Sequence, residues 1–219
     1  MREERLVDAV FFDLFGTLLS LAPLDRVCDR LAPGRGPEIA AHWRARQVEA
    51  SWLRTVMDSW ADFDVVTRDA LAATVDELRI ERSADLDAVA EAFAELPLVD
   101  GAGEAVRALH GDGLALGVLT NASTQTLERA TARLDLPFEH LLSVDAARRY
   151  KPHPSVYQLA ADATRLPPDR FGFVTANGWD AAGARTFGFR VAWLRPSPSA
   201  SLPSVGAPEP IVVTWSQVP

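Results

Sequence analysis

The sequence predicts an α/β protein: a doubly wound, mostly parallel sheet of Rossmann-like form, with a small helical cap inserted after the first strand. Three observations predict it. The apolar run from Val7 to Phe12 ends on Asp13 and reads as a buried strand. From Ile39 to Leu96 the apolar residues recur at helical rather than strand-like steps. From Asp100 onward short apolar runs alternate with helical segments, the pattern of a parallel sheet covered on both faces. The expected division is core over 1–19, helical cap over 20–96, and the rest of the core over 97–219.

Taken in order, the first strand leads into Asp13-Leu14-Phe15-Gly16-Thr17, where Gly16 permits a sharp turn and Thr17 can brace it. Ile39–Trp60 carries Ala40, Trp43, Val48, Trp52, Leu53, Val56 and Trp60 at three- and four-residue steps. Asp64–Ile80 and Ala84–Leu96 read as further helices, the latter capped by Ser83 and followed by Pro97. Then come a helix over Gly101–His110, a strand over Leu114–Leu119 ending at Thr120-Asn121, and a helix over Ser123–Leu134. A short strand over Leu141–Val144 precedes a helix over Pro154–Thr164. A strand over Phe171–Thr175, a helix over Trp179–Phe187 and a strand over Arg190–Leu194 complete the alternation. Pro196–Pro210 reads as an irregular surface connection, and Ile211–Thr214 as an edge strand.

The bulk properties narrow the function. The 219 residues suffice for one large core with a modest insert. A net charge of -8 gives no encouragement to nucleic-acid binding, so anions must be met by local cations. Cys28 is the single cysteine, which leaves no intrachain disulfide and no thiolate metal cluster. No segment approaches the roughly 20 apolar residues of a membrane span. The start, Met1-Arg2-Glu3-Glu4-Arg5, lacks the apolar region of a signal peptide, so the cytoplasm is the expected compartment.

Four predicted strand ends carry the polar residues that matter: Asp13 after the first, Thr120 and Asn121 after the second, Lys151 after the third, and Asn177 with Asp180 after the fourth. In open α/β sheets ligands bind at that edge. Each residue has a plainer reading as well. A strand-terminal aspartate is as often a turn residue, Lys151 could be an ordinary solvated lysine, Thr120 could lead a helix, and Arg44 could lie on a helix surface. Their convergence in order is what turn chemistry does not explain.

These motifs resemble the L-2-haloacid dehalogenases of the haloacid dehalogenase-like hydrolases. The resemblance runs from Phe11 through Phe189. It rests on Asp13-Leu14-Phe15-Gly16-Thr17, Trp43-Arg44 with Trp52-Leu53-Arg54, Leu141-Leu142-Ser143-Val144-Asp145 leading to Tyr150-Lys151-Pro152, and Asn177-Gly178-Trp179-Asp180-Ala181-Ala182-Gly183-Ala184. It implies that Asp13 displaces halide from C2 as an ester-forming nucleophile with inversion there, and that water then attacks the aspartyl carbonyl, so that an (S)-2-haloacid yields an (R)-2-hydroxyacid. Lys151 is implied to hold Asp13 and help bind substrate, and Thr120 with the backbone N–H groups of Leu14 and Phe15 to bind the substrate carboxylate. Arg44 and Asn121 are implied to cradle the leaving halide. Thr175, Asn177 and Asp180 are implied to orient Lys151 and the hydrolytic water, Thr17 to brace the nucleophile loop, and Tyr157 to support the site. Phe15, Val48, Phe63 and Trp179 would form apolar walls; for Val48 and Phe63 cap-helix packing has equal weight.

Most members of the superfamily carry a second aspartate where this chain has Phe15, and use it in phosphoryl transfer. Phe15 therefore argues against a phosphatase. With Asn177 also standing where magnesium-dependent members often place an acidic group, no metal and no cofactor is expected. A homodimer through the cap helices is implied by the family alone. Thr120 and Thr175 stand where serine is typical, Ala45 and Ser20 replace longer or acidic residues, and the tail beyond Trp193 matches poorly. The competing functions are a defluorinating relative acting on fluoroacetate and a degenerate, non-catalytic binding protein.

Overall fold

The computed structural model describes residues 5–81, 86–195 and 211–219. Six parallel strands form one sheet: β1 Ala9–Phe12, β2 Ala115–Thr120, β3 His140–Ser143, β4 Phe171–Thr175, β5 Arg190–Leu194 and β6 Ile211–Val213, in the order β3-β2-β1-β4-β5-β6. The fully apolar β1 lies at the centre, every residue buried, with Phe12 opposite Val118 on one side and Val174 on the other. The chain winds outward through β2 and β3, then crosses back to β4 and winds the other way. The switch point falls between β1 and β4, where a crevice opens at the carboxyl edge. On the other side of β1, Gly117 in β2 makes room for the Phe11 ring, from which an added Cβ would stand 2.3 Å.

Between β1 and β2 lies the helical insert. It contains α1 Pro23–Asp29, α2 Gly36–Val56, α3 Phe63–Glu77, α4 Leu86–Ala90 and a 3-10 turn over Glu91–Glu95. α2 buries Ile39, Trp43, Gln47 and Ser51, a stripe at four-residue spacing that is apolar at its start and polar at its end. α3 is capped by the Asp62 side chain, which accepts from the Asp64 amide at 2.7 Å. The two passages between sheet and insert run side by side: Leu19 bridges Leu98, the Ser20 amide donates to Pro97 O and the Val99 amide donates to Leu18 O. The remaining helices, α5 Ala102–Gly111, α6 Thr124–Thr131, α7 Pro154–Thr164 and α8 Gly178–Phe187, follow their strands.

Several expectations need correction. The expected helix over Ala84–Leu96 is instead a short α-helix that tightens into a 3-10 turn, and its expected cap Ser83 lies outside the described residues, as does Pro196–Pro210. Trp60 is not helical; α2 ends at Val56, and Asp58 takes a left-handed conformation with φ 56°. The sequence pattern does not mark α1 as a separate helix. Lys151 does not terminate a strand: β3 stops at Ser143, and a 3-10 turn over Val144–Ala146 intervenes. Thr120 does not cap α6, because the cap is Ser123, whose hydroxyl accepts from the Thr126 amide at 3.1 Å. Among the described residues no helix is long and apolar enough to cross a membrane.

Candidate active site

The loop after β1 builds the centre. The Asp13 amide donates to Val174 O, the Leu19 amide turns back to Leu14 O, and Gly16 at φ 79° makes the reversal. The N–H groups of Leu14 and Phe15 have no acceptor among the described residues. Asp13 is almost fully buried, so its carboxylate must be satisfied by specific partners. Lys151 Nζ donates to Oδ1 at 3.1 Å, while Thr17 Oγ1 at 3.1 Å and Asn177 Nδ2 at 2.7 Å donate to Oδ2. Thr17 Oγ1 also accepts from the Ala176 amide at 2.9 Å, tying the nucleophile loop to the loop after β4.

Lys151 is buried to 0% exposure between two carboxylates, and its Nζ lies 2.8 Å from Asp180 Oδ2. Its backbone is fixed by donation to Asn121 Oδ1 at 2.9 Å, which leaves the Asn121 amide nitrogen without a described acceptor. The preceding Tyr150 anchors the loop to the insert: its hydroxyl donates to Ala61 O at 2.6 Å, and its ring stacks on Trp60 at 4.8 Å. Burial and nearby Asp62 push its phenol well above the usual range, so it stays a donor.

Asp180 sits in the first turn of α8, fully buried. Burial and the charge of Asp13 push its carboxyl up to about 6, against the pull of Lys151 and the Tyr157 hydroxyl. Tyr157 on α7 donates to Asp180 Oδ1 at 2.8 Å, and desolvation holds its phenol well above the usual range. Gly183 makes room for this bond, since a Cβ there would meet Tyr157 Oη at 2.5 Å and Pro152 at 2.4 Å.

The other expected residues have these places. Thr175 is buried at the end of β4, where its hydroxyl accepts from the Asn177 amide at 3.1 Å; no hydrogen bond between it and Lys151 is present among the described residues. Asn177 reaches Asp13 and Phe15 O, not Lys151. Thr120 Oγ1 accepts from the Ala122 amide in a tight turn. Phe15 and Phe63 are buried with rings stacked 6.3 Å apart, forming a wall between loop and insert. Arg44, Val48, Asn177 and Trp179 line a cleft of about 840 Å³ between α2 and α8. Trp179 meets Trp52 of the insert edge to face at 5.8 Å. Arg44 is half-buried, and burial lowers its guanidinium while the charge of Asp13 holds it up. Two contributors have no role in the sequence reading, although Gly183 stands within its Asn177–Ala184 motif. Gly183 could have been found as a glycine inside a predicted helix; Gln47 carries no signal beyond a polar residue on an apolar stripe.

The arrangement offers a held carboxylate, a buried lysine, free backbone donors and an insert-borne guanidinium, the parts of a carboxylate nucleophile acting on an anionic substrate. Residues 7–188 match the family described as haloacid dehalogenase-like hydrolase. The chain is 38% identical over 195 residues to an (S)-2-haloacid dehalogenase of Pseudomonas sp. (strain YL), covering 86% of this chain and 82% of that one. It is 34% identical to a haloacetate dehalogenase of Moraxella sp. (strain B), covering 86% and 85%. A solved L-2-haloacid dehalogenase of Xanthobacter autotrophicus with chloropropionic acid covalently bound superposes with a TM-score of 0.80 at 37% identity, covering 86% of this chain and 77% of that one. The chain belongs to the haloacid dehalogenase-like hydrolases.

Proposed function

We propose that this member of the haloacid dehalogenase-like hydrolases converts short (S)-2-haloacids to (R)-2-hydroxyacids and halide through an ester on Asp13. The observation that carries this reading is the Asp13 carboxylate held by Lys151, Thr17 and Asn177, with Phe15 in place of a second acid. Oδ2 takes two donors and Oδ1 only Lys151, so Oδ1 is the attacking oxygen. It forms a bond to C2 from the face opposite the halogen; the carbon–halogen bond breaks and its electron pair leaves as halide. Backbone donors at Leu14 and Phe15, with Thr120, hold the substrate carboxylate. Arg44 and Asn121 receive charge as the halide departs, which lowers the barrier because that charge is absent from the ground state.

In the second step water attacks the aspartyl carbonyl carbon, and the ester breaks to return Asp13 and release the hydroxyacid, whose new oxygen came from Asp13. Asp180, with its carboxyl raised to about 6, is a better proton acceptor than an ordinary carboxylate and serves that water together with Asn177. Thr175 acts through the Asn177 loop. Phe15, Phe63, Val48 and Trp179 form the apolar walls, and the insert over 20–96 acts as a cap that excludes water until the ester has formed.

Neither metal nor cofactor enters this reading. A homodimer through the cap helices belongs to it, supported by Leu53, Val56 and Met57 exposed on and just after α2 and read by light scattering. So does a cytoplasmic setting, read by fractionation. The test is halide release from (S)- and (R)-2-chloropropionate and from fluoroacetate in EDTA, beside p-nitrophenyl phosphate with magnesium. Chloride from the (S) acid alone is expected. Phosphate without chloride would replace the reading with phosphotransfer, silence in every arm would favour the non-catalytic binding protein, and fluoride release would extend the reading to defluorination.

A further inference from the structure

We propose that Gln47 is a positioning residue that aims Arg44 at the leaving halide while leaving the guanidinium charge uncompensated; the proposal rests on the dehalogenase reading above. Gln47 is completely buried on the inner stripe of α2, four residues after Trp43 and four before Ser51. An apolar residue would fill that stripe without desolvating an amide, so the amide has to be explained by its partners.

Both ends of the amide are engaged. Gln47 Oε1 accepts from Arg44 Nη1 at 2.6 Å, and Gln47 Nε2 donates to Thr67 Oγ1 at 2.6 Å. A guanidinium only donates, so the oxygen must face Arg44 and the nitrogen must face Thr67. Thr67 is itself buried on α3, and its carbonyl accepts from Trp43 Nε1 at 2.9 Å. The guanidinium is thereby tied through two side chains to the backbone of a second cap helix.

Arg44 forms no ion pair among the described residues, although it is half-buried and the charge of Asp13 acts upon it. Gln47 is its one described acceptor. A glutamate at position 47 would have the same length and the same two partners, but it would neutralise the cation. A neutral amide fixes the guanidinium and leaves its charge to be matched by the halide as the carbon–halogen bond breaks, which is where differential stabilisation counts.

The experiment compares full-length wild type with Gln47→Glu and Thr67→Val, measuring thermal midpoint, kcat and KM for (S)-2-chloropropionate and (S)-2-bromopropionate. Gln47→Glu keeps shape and hydrogen bonds, so its thermal midpoint should stay near wild type. Its kcat for the chloro acid should fall about 10²-fold with a smaller loss for the bromo acid, the better leaving group. Thr67→Val should shift the bromide-to-chloride ratio the same way by a smaller factor, so the proposal stays testable even if Gln47→Glu does not fold. A role in packing alone moves stability and not that ratio. A folded Gln47→Glu with the wild-type ratio and kcat overturns the positioning role while leaving the dehalogenase reading intact. An unchanged ratio in Thr67→Val counts against it in the same way. Absence of halide release from wild type overturns both.

Discussion

Asp180 Oδ2 approaches Lys151 Nζ to 2.8 Å, closer than the 3.1 Å that separates the same nitrogen from Asp13 Oδ1. The lysine is therefore shared between two buried carboxylates, and the one that does not attack holds it more tightly. Protonation of Asp180, whose carboxyl burial raises to about 6, would loosen that hold.

Activity should fall as pH drops through about 6, where Asp180 takes up a proton and releases its charge-assisted bond to Lys151. The sign for stability is opposite. A folded-state carboxyl raised above its ordinary value of 3.8 favours the fold when protonated, and that contribution is lost as pH rises from about 4 to 6. Tyr157→Phe removes a hydrogen bond to the carboxylate form, so the acid limb of kcat should move upward by roughly one pH unit. A limb that stays in place would separate Tyr157 from this titration.

Asp13→Asn should reduce turnover by on the order of 10⁴-fold or more, because an amide is a poor nucleophile and the buried lysine loses one of its two charges. Wild-type enzyme quenched in mid-turnover should carry the acid as added mass on Asp13. Halide release by the variant near the wild-type rate would remove Asp13 from the role.

Arg44→Ala should lower kcat by about 10²–10³-fold with the chloro acid and less with the bromo acid. Equal losses for the two halides would detach Arg44 from the leaving group.

Gly183→Ala should cost about 1–3 kcal/mol in a thermal or urea melt, since the new methyl meets Tyr157 and Pro152 well inside contact distance. The same variant should lower kcat as Tyr157 is displaced from Asp180. Full activity at reduced stability would show that α8 can shift without disturbing that bond.

The strands that frame the site were legible because each is a short apolar run closed by turn residues. β4 and β5 fall where the pattern put them, as does α7, with Pro154 at its start. Asp13 was legible for the same reason. α1 was not, since its seven residues present only Leu24 and Cys28 to the core and give no repeating period. The path to Lys151 was hidden by an added 3-10 turn, which no apolar pattern marks. Gln47 was hidden for another reason: its partners Arg44 and Thr67 lie on two helices, and only their packing shows that the amide points inward.

The two passages at Leu19 and Leu98 lie beside each other and are hydrogen-bonded at Ser20–Pro97 and Val99–Leu18. The chain thus crosses between sheet and insert at one narrow waist, and it could be recut there without disturbing the strand order. The nucleophile, the lysine and Asp180 all stay on the sheet side, while Arg44 leaves with the insert. Exchanging this cassette between relatives should therefore retune which halide departs while keeping the inversion at C2 that Asp13 dictates.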